Sequence, residues 1–143
     1  MRSRTKYFCL VVSLVLGPPA SAEQWFSVSG PGAAAEGARV EVDLDSVHAR
    51  GQGGESVIRV TFDALQTHRA GFRFRSIIAT AQFDCQRRII SLTSAAYYDG
   101  PAGKGLRLGA DSSGKQAGMP PALLDSIPAT ALRALVKATC TTS

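Results

Sequence analysis

The strongest constraint on the fold is a pair of long extended segments that are separated by only two residues. Residues 72–85 and 88–98 are rich in β-branched and aromatic side chains, which are enriched in β-strands, and only Gln86 and Arg87 lie between them. So short a connection joins antiparallel strands, because parallel strands need a crossover of about a dozen residues or more. Residues 72–85 carry apolar side chains on both faces, which is typical of a central strand or of one that bends at a bulge. We therefore predict a tight antiparallel hairpin.

Alternation of apolar and polar residues predicts further strands before and after this hairpin. Residues 55–65 give the clearest pattern, since Ile58, Val60 and Phe62 alternate with polar side chains. Residues 39–44 alternate in the same way. A short strand is predicted at 24–29 and an edge strand at 104–108. Residues 109–121, rich in Gly, Ser and Pro, are predicted to form a mobile surface loop.

One helix is predicted at the end of the chain, after Pro128. In residues 129–140 the side chains of one helical stripe, spaced at i, i+3, i+4 and i+8, are Leu132, Leu135, Val136 and Cys140. Strands clustered before a helix indicate an α+β fold. We expect a small antiparallel β-sheet of about five or six strands with a C-terminal α-helix and one disulfide.

The N-terminus has the three parts of a secretory signal peptide. Basic residues (Arg2, Arg4 and Lys6) precede an apolar run of about ten residues, a Gly-Pro-Pro break and the small residues Ala20-Ser21-Ala22. The run is too short for a membrane-spanning helix, which needs about 20 residues. We predict cleavage after Ala22, no membrane span in the mature chain, and a single domain over residues 23–143 in the periplasm or outside the cell.

Removal of the signal peptide changes the charge argument. The whole chain has a net charge of +5, but its three basic signal residues leave 13 basic and 11 acidic residues in the mature part, a net charge of +2. So small a net charge is ordinary for the solvated surface of a domain of this size and does not indicate a nucleic-acid-binding surface. We therefore expect no nucleic-acid partner.

The positions of the cysteines predict one disulfide, which we call the staple. Cys9 leaves with the signal peptide, so Cys85 and Cys140 remain, 55 positions apart, in a chain bound for an oxidising compartment. A redox-active cysteine pair or a metal-binding site would typically have close C-x-x-C spacing with histidines nearby. We predict a structural disulfide that pins the C-terminal helix to a strand.

Motifs for chemistry are weak throughout, and we predict no enzyme, no metal site and no cofactor. His48 and His68 lack accompanying ligands and are interpreted as surface loop residues. Asp43 and Asp45 are better explained by a strand that ends in a turn than by a cation site. The serines (Ser91, Ser94 and Ser112) lack a nucleophile motif. The glycine-rich residues 100–105 lack the spacing of a phosphate loop.

An arginine cluster is the one candidate surface for a partner. Arg73 and Arg75 are two apart in a predicted strand, Arg87 and Arg88 lie at the hairpin turn, and Arg69 is nearby. Beside Phe72 and Phe74, such a patch would suit an acidic protein partner. The alternative is that these arginines are solvated charges that protect a sheet edge, and the sequence favours that interpretation.

Several segments in order resemble the surface-adhesin protein E family. They are Trp25, the V-x-V-D-x-x-S-V stretch 40–47, the strand 57–65, the F-D-C-x-x-R stretch 83–88, the Y-Y-D-x-x-x-G stretch 97–103, and a Pro-led terminal helix that reaches Cys140. The resemblance implies a small antiparallel sheet packed with a helix and pinned by one disulfide, on an envelope or secreted protein without catalysis.

The resemblance also implies a function. The family's named member is an adhesin that contacts host matrix glycoproteins, so the expected function is an exported, non-enzymatic binding module for host matrix or envelope glycoproteins. Of the family's residues, only the disulfide cysteines Cys85 and Cys140 are carried over to this chain. The alternative is a periplasmic accessory protein that assists an envelope complex. The identity of the partner and the oligomeric state stay open.

Overall fold

The computed structural model describes residues 23–28, 37–112 and 121–141, so the predicted signal peptide, residues 1–22, lies outside the described residues. Short 3-10 helices are formed by Leu44–Ser46 and Pro101–Gly103. The strands and α-helices are β1 Trp25–Ser27, β2 Ala38–Asp43, β3 His48–Arg50, β4 Gly53–Thr67, β5 Arg73–Asp84, β6 Ile89–Tyr98, β7 Arg107–Ser112, α1 Pro121–Asp125 and α2 Ala129–Thr141.

The strands form one antiparallel sheet with the order β1-β2-β4-β5-β6-β7, and β3 pairs with the start of β4 beyond β2. The described sheet therefore has seven strands where five or six were predicted. The predicted hairpin is confirmed as β5–β6 at its centre, although its loop, residues 85–88, is longer than predicted. The long β4 is confirmed as well.

Two parts of the sheet differ from the sequence prediction. Strand β3 includes His48, which was interpreted as a loop residue, because pairing with Gly53 and Gly54 gives this backbone a partner. Strand β7 continues through Gly109 to Ser112, into the predicted loop, because it pairs with β6 along its length. At Gly109 the Phe72 ring comes within 3.3 Å of where a Cβ would stand, so the close approach favours glycine. The rest of that loop, residues 113–120, lies outside the described residues.

One face of the sheet forms the hydrophobic core under α2. Val60, Ile77 and Tyr97 are opposite one another on neighbouring strands, and each is almost completely buried. On α2, Ala131 and Leu135 are buried against the sheet. Burial of each large apolar side chain contributes about 1.5–3 kcal/mol, so this layer supplies most of the driving force for folding.

The other face of β5 is covered by a turn at residues 99–106. The Ser76 hydroxyl donates to the Gly100 carbonyl at 2.6 Å and accepts from the Gly103 amide at 2.8 Å. Gly103 has a positive φ of 70°, and a Cβ there would stand 2.5 Å from the Ile78 side chain. This turn explains why β5 is apolar on both faces in the middle of the sheet.

The predicted disulfide is present. Cys85 follows directly after β5 and is bonded to Cys140 in the last turn of α2, with their Cα atoms 5.5 Å apart. The bond fixes the C-terminal end of α2 at the β5–β6 hairpin. No helix among the described segments has the length and apolar character that crossing a membrane requires.

Candidate functional site

A groove with a volume of about 820 Å³ lies where α2 passes the β5–β6 hairpin, and we call it the basic groove. Its apolar lining consists of Ile90, Leu132, Val136 and the Cys85–Cys140 disulfide, and Arg88, Arg133 and Lys137 supply its charges. All three of these cationic residues are exposed. The volume lies within the range of about 300–1,000 Å³ that is typical of ligand-binding clefts, so the basic groove is large enough to take several side chains of another molecule.

The helix wall of the basic groove is built from two adjacent rows of side chains. Leu132, Val136 and Cys140 repeat every four residues, and Arg133 and Lys137 repeat at the same interval one position later. Because an α-helix has 3.6 residues per turn, residues four apart lie in one row along its surface. The wall therefore has an apolar row beside a cationic row.

The hairpin wall contributes Arg88, whose backbone is in the left-handed region with φ 56°. That conformation costs an L-residue about 1–2 kcal/mol, and glycine would be the usual choice for it. In the same loop, the Asp84 carboxylate accepts from the Arg87 amide at 2.9 Å and helps to hold the turn.

The three cations of the basic groove have no acidic partner within the described part of the chain. No described carboxylate lies within 4.0 Å of Arg88, Arg133 or Lys137. Arg59 provides a contrast: its Nε lies 2.8 Å from Glu41 Oε2, and its guanidinium lies 4.2 Å from the centre of the Trp25 ring. The cations of the basic groove are therefore available to carboxylates of another molecule.

The arginines that were predicted as a patch lie in two places. Arg73 and Arg75 are at the start of β5, whereas Arg87 and Arg88 are in the loop after its end. A strand rises about 3.3 Å per residue, so roughly 30 Å separates the two pairs. Arg73 is exposed, but Arg75 is half-buried, and its buried Nε has no hydrogen-bond partner among the described residues.

Sequence reasoning missed Arg133 and Lys137, which the fold brings to Arg88. Their four-residue spacing beside the apolar row of α2 was a signal that could have been found. Their position opposite the hairpin could not, because it depends on where the Cys85–Cys140 disulfide fixes the end of the helix. The structure therefore separates the predicted arginines into two pairs and places Arg133 and Lys137 in the same groove as Arg88.

A second cluster of chemistry-bearing residues lies at the opposite end of β5, and we call it the aromatic cluster. It consists of His68, Phe72, Tyr97 and Asp111. The His68 ring stacks on Phe72 with 4.4 Å between ring centres, and its Nε2 lies 2.9 Å from Asp111 Oδ2. The Tyr97 hydroxyl donates to the same carboxylate oxygen at 3.0 Å. His68 lies in the loop between β4 and β5, as predicted, but its interpretation as a surface residue is wrong, since its side chain is only 11% exposed.

The hydrogen bonds of the aromatic cluster set the charges of its members. The hydrogen bond from His68, followed by that from Tyr97, lowers the pKa of the Asp111 carboxyl, so the group is held as a carboxylate. Burial raises the pKa of the Tyr97 hydroxyl well above its usual range, and the hydrogen bond to Asp111 raises it further. Tyr97 therefore stays protonated and serves as a donor.

A cavity of about 150 Å³ beside the aromatic cluster is lined by Ser126 as well as by His68 and Asp111. Serine, histidine and aspartate are the residue types of a hydrolase triad. The geometry does not suit that chemistry. His68 uses Nε2 for Asp111 and Nδ1 for the Ala70 amide at 3.1 Å, so neither ring nitrogen is left to accept a proton from Ser126. The Ser126 hydroxyl itself donates to the Leu123 carbonyl at 2.6 Å. The aromatic cluster is therefore built for structure.

The remaining candidates are accounted for by local structure. Asp43 caps the first 3-10 helix by accepting from the Asp45 amide at 3.1 Å, which agrees with a strand that ends in a turn. His48 is exposed on β3, opposite Glu55. Within the described residues there is no group of three or more His, Cys, Asp or Glu side chains that could hold a metal ion.

Comparison with protein families decides the relationship of the chain. The family model described as surface-adhesin protein E matches residues 25–141, which is most of the chain. The chain belongs to the surface-adhesin protein E family. The matched region includes both cysteines of the staple, the basic groove and the aromatic cluster. Membership is consistent with a protein that is exported to the cell surface or secreted.

One solved structure supports the fold. Crystal form II of Haemophilus influenzae protein E is similar with a TM-score of 0.50 and 19% sequence identity, over 72% of this chain and 80% of that chain. A crystal structure of protein E from non-typeable Haemophilus influenzae gives a TM-score of 0.46 and 16% identity, over 71% of this chain and 67% of that chain. No curated protein sequence matches this chain significantly.

Proposed function

We propose that this chain is an exported, non-enzymatic binding module that holds a protein partner in the basic groove. The observation that carries the proposal is that Arg88, Arg133 and Lys137 surround an apolar cleft without a carboxylate partner among the described residues. Membership of an adhesin family supports binding as the general activity. A partner that contacts both the apolar lining and the cations would be held by burial of apolar area together with charge complementarity.

The proposal includes the route and the place of action. The signal peptide directs the chain through the Sec pathway, and cleavage after Ala22 releases a mature chain that begins at Glu23. The mature protein acts in the periplasm or outside the cell, where the Cys85–Cys140 disulfide is stable. The expected partners are host matrix or envelope glycoproteins, by analogy with the family.

Binding explains the basic groove better than catalysis does. The two sulfur atoms that line it are joined in a disulfide, so neither is a thiolate nucleophile. Its charged side chains, Arg88, Arg133 and Lys137, are all cationic, and arginine does not give up its proton in proteins. What these residues do well is bind carboxylates and sulfates while the apolar lining excludes water.

The test is capture of a partner by the mature protein and by a variant whose groove is filled. Leu132→Trp adds an aromatic ring to the groove without a change of charge, and Leu65→Trp makes the same change at an exposed position on β4. Immobilised wild type, Leu132→Trp and Leu65→Trp are each incubated with envelope extract and with matrix glycoproteins. We expect wild type and Leu65→Trp to retain a common partner that Leu132→Trp does not retain.

Two outcomes contradict the proposal. If wild type retains no partner from either source, the chain is not a binding module of this kind. If Leu132→Trp, with an unchanged thermal melt, retains as much partner as wild type, the basic groove is not the binding surface. Retention from the envelope extract alone would favour the periplasmic accessory role over adhesion to matrix.

A further inference from the structure

The pattern of side chains in the basic groove restricts the chemistry of its occupant, and this inference rests on the proposed function. On α2 the apolar row (Leu132, Val136 and Cys140) lies beside the cationic row (Arg133 and Lys137), and each step along a row is about 6 Å. The two rows run side by side along the surface of α2. An occupant that uses both rows must repeat its own apolar and charged groups at the same interval.

Cations line the basic groove from two different elements. Arg133 and Lys137 come from α2, and Arg88 comes from the hairpin loop, with Ile90 and Val136 in the lining as well. No acidic residue is among the described residues that line the groove. An occupant whose apolar side chains fill this lining therefore meets positive charge from both α2 and the hairpin.

The lining discriminates among the three broad kinds of occupant. A wholly apolar segment would remove water from three cations without giving them a counter-charge, which is costly. A wholly anionic chain would leave the partly exposed side chains of Leu132 and Ile90 facing charged groups instead of apolar ones. A segment with apolar and acidic rows satisfies both, because arginine binds carboxylates through two parallel hydrogen bonds.

We propose that the basic groove binds an acidic amphipathic helix of the partner protein, with its apolar row on Leu132 and Ile90 and its carboxylates on Arg88, Arg133 and Lys137. Such a helix repeats its rows every four residues, as α2 does, so the two sets of rows stay in register along the contact. Docking of an amphipathic helix into an apolar groove is a common mode of peptide recognition. The charges fix its orientation and the apolar row supplies contact area.

The experiment uses a labelled synthetic peptide of about 18 residues, long enough to form a helix alone, with leucines in one row and glutamates beside it. Its binding to the mature protein is measured by fluorescence anisotropy. One control peptide replaces every glutamate with lysine, and a second replaces every leucine with serine. We expect the glutamate-leucine peptide to bind and both control peptides to bind at least about tenfold more weakly.

Two protein variants locate the site. Arg133→Glu with Lys137→Glu reverses the cationic row of α2, and Arg73→Glu with Arg107→Glu makes an equal change of net charge at exposed positions near the other end of the sheet. We expect about a tenfold or greater loss of peptide affinity for the first pair and less than about a twofold change for the second.

Wild-type affinity should also fall as salt rises from about 0.01 M to 0.15 M, because the Debye length shrinks from about 30 to 8 Å.

Three results would overturn the inference. The first is an equal loss of peptide affinity in the two double variants, and the second is binding of the serine control peptide as tight as that of the glutamate-leucine peptide. The third is no binding of the glutamate-leucine peptide while heparin fragments or anionic lipid vesicles bind in a way that depends on Arg133 and Lys137. Failure of the proposed function is distinguishable from these, because there wild type would retain no partner at all. Retention of a partner that depends on Leu132, without binding of the glutamate-leucine peptide, would leave the function standing and remove only the acidic helix.

Discussion

The basic groove and the aromatic cluster lie at opposite ends of β5, and they differ in whether their charged side chains have partners within the described part of the protein. In the aromatic cluster, His68, Tyr97 and Asp111 use their polar atoms on one another and on nearby backbone. In the basic groove, Arg133 and Lys137 have no carboxylate partner in the described part of the chain. The difference agrees with a structural role for the aromatic cluster, and the proposed function assigns the charges of the basic groove to a partner protein.

The largest expected effect comes from removal of the staple. Cys85→Ser with Cys140→Ser should lower the free energy of unfolding by about 2–5 kcal/mol, as for native disulfides in small secreted domains. Urea unfolding of the mature protein measures the loss, and reduced wild type should reproduce it. Backbone hydrogen exchange should accelerate in α2 more than around Tyr97, because only α2 is tied by the bond. An unchanged unfolding midpoint would show that the disulfide contributes nothing to stability.

Loss of the carboxylate from the aromatic cluster should have the next largest effect. Asp111→Ala leaves the Tyr97 hydroxyl and His68 Nε2 without their acceptor, at a cost of about 1–3 kcal/mol of unfolding free energy. Asp63→Ala, at an exposed position on β4, is the matched control and should shift it by less than about 0.5 kcal/mol. If both variants changed the free energy of unfolding by equally small amounts, the aromatic cluster would not have the structural role that distinguishes it from the basic groove.

The same carboxylate should also make stability depend on pH. Because His68 and Tyr97 lower the pKa of Asp111 in the folded state, its contribution is present above the unfolded value of about 3.9 and is lost as the pH falls through the lowered folded value. Wild type should therefore lose stability below about pH 4 more steeply than Asp111→Asn. Denaturation midpoints between about pH 2 and pH 6 measure this. Parallel profiles for the two proteins would contradict it.

The sequence predicted the centre of the sheet better than its edges, for a physical reason. The alternation of β4 was visible in the sequence because one of its faces is buried along the middle of the strand. Strand β3 and the C-terminal half of β7 instead depend on pairing with β4 and β6, so their own residues give little signal. The two-sided apolar character of β5 was visible, but the turn at residues 99–106 that covers its second face was not.

The candidate site was less predictable, because both clusters join residues that are far apart in the chain. His68 and Asp111 are 43 positions apart, and only the pairing of β6 with β7 and the turn before β5 bring them together. Arg88 lines the same groove as Arg133 and Lys137 because α2 packs on the sheet and the disulfide holds its end at the hairpin. The cysteines themselves were readable from the sequence, and they mark the place where the basic groove forms.

A smaller effect of opposite sign is expected at Arg88. Because its φ of 56° favours glycine, Arg88→Gly should leave the unfolding free energy unchanged or raise it by up to about 1 kcal/mol, while one cation of the basic groove is lost. Peptide binding measured by anisotropy should weaken at the same time. The control is Arg87→Gly in the same loop. A variant that loses stability without losing affinity would indicate that Arg88 is structural.

The comparison of the two regions can be tested with a single pair of variants in two assays. Arg133→Glu with Lys137→Glu and Asp111→Ala are each assayed for urea unfolding and for binding of the glutamate-leucine peptide. We expect the charge reversal to abolish most binding with a stability change under about 0.5 kcal/mol, and Asp111→Ala to lose stability while peptide affinity is kept. If the reversal destabilises the fold, or if Asp111→Ala loses peptide affinity while still folded, the division of roles between the basic groove and the aromatic cluster is wrong.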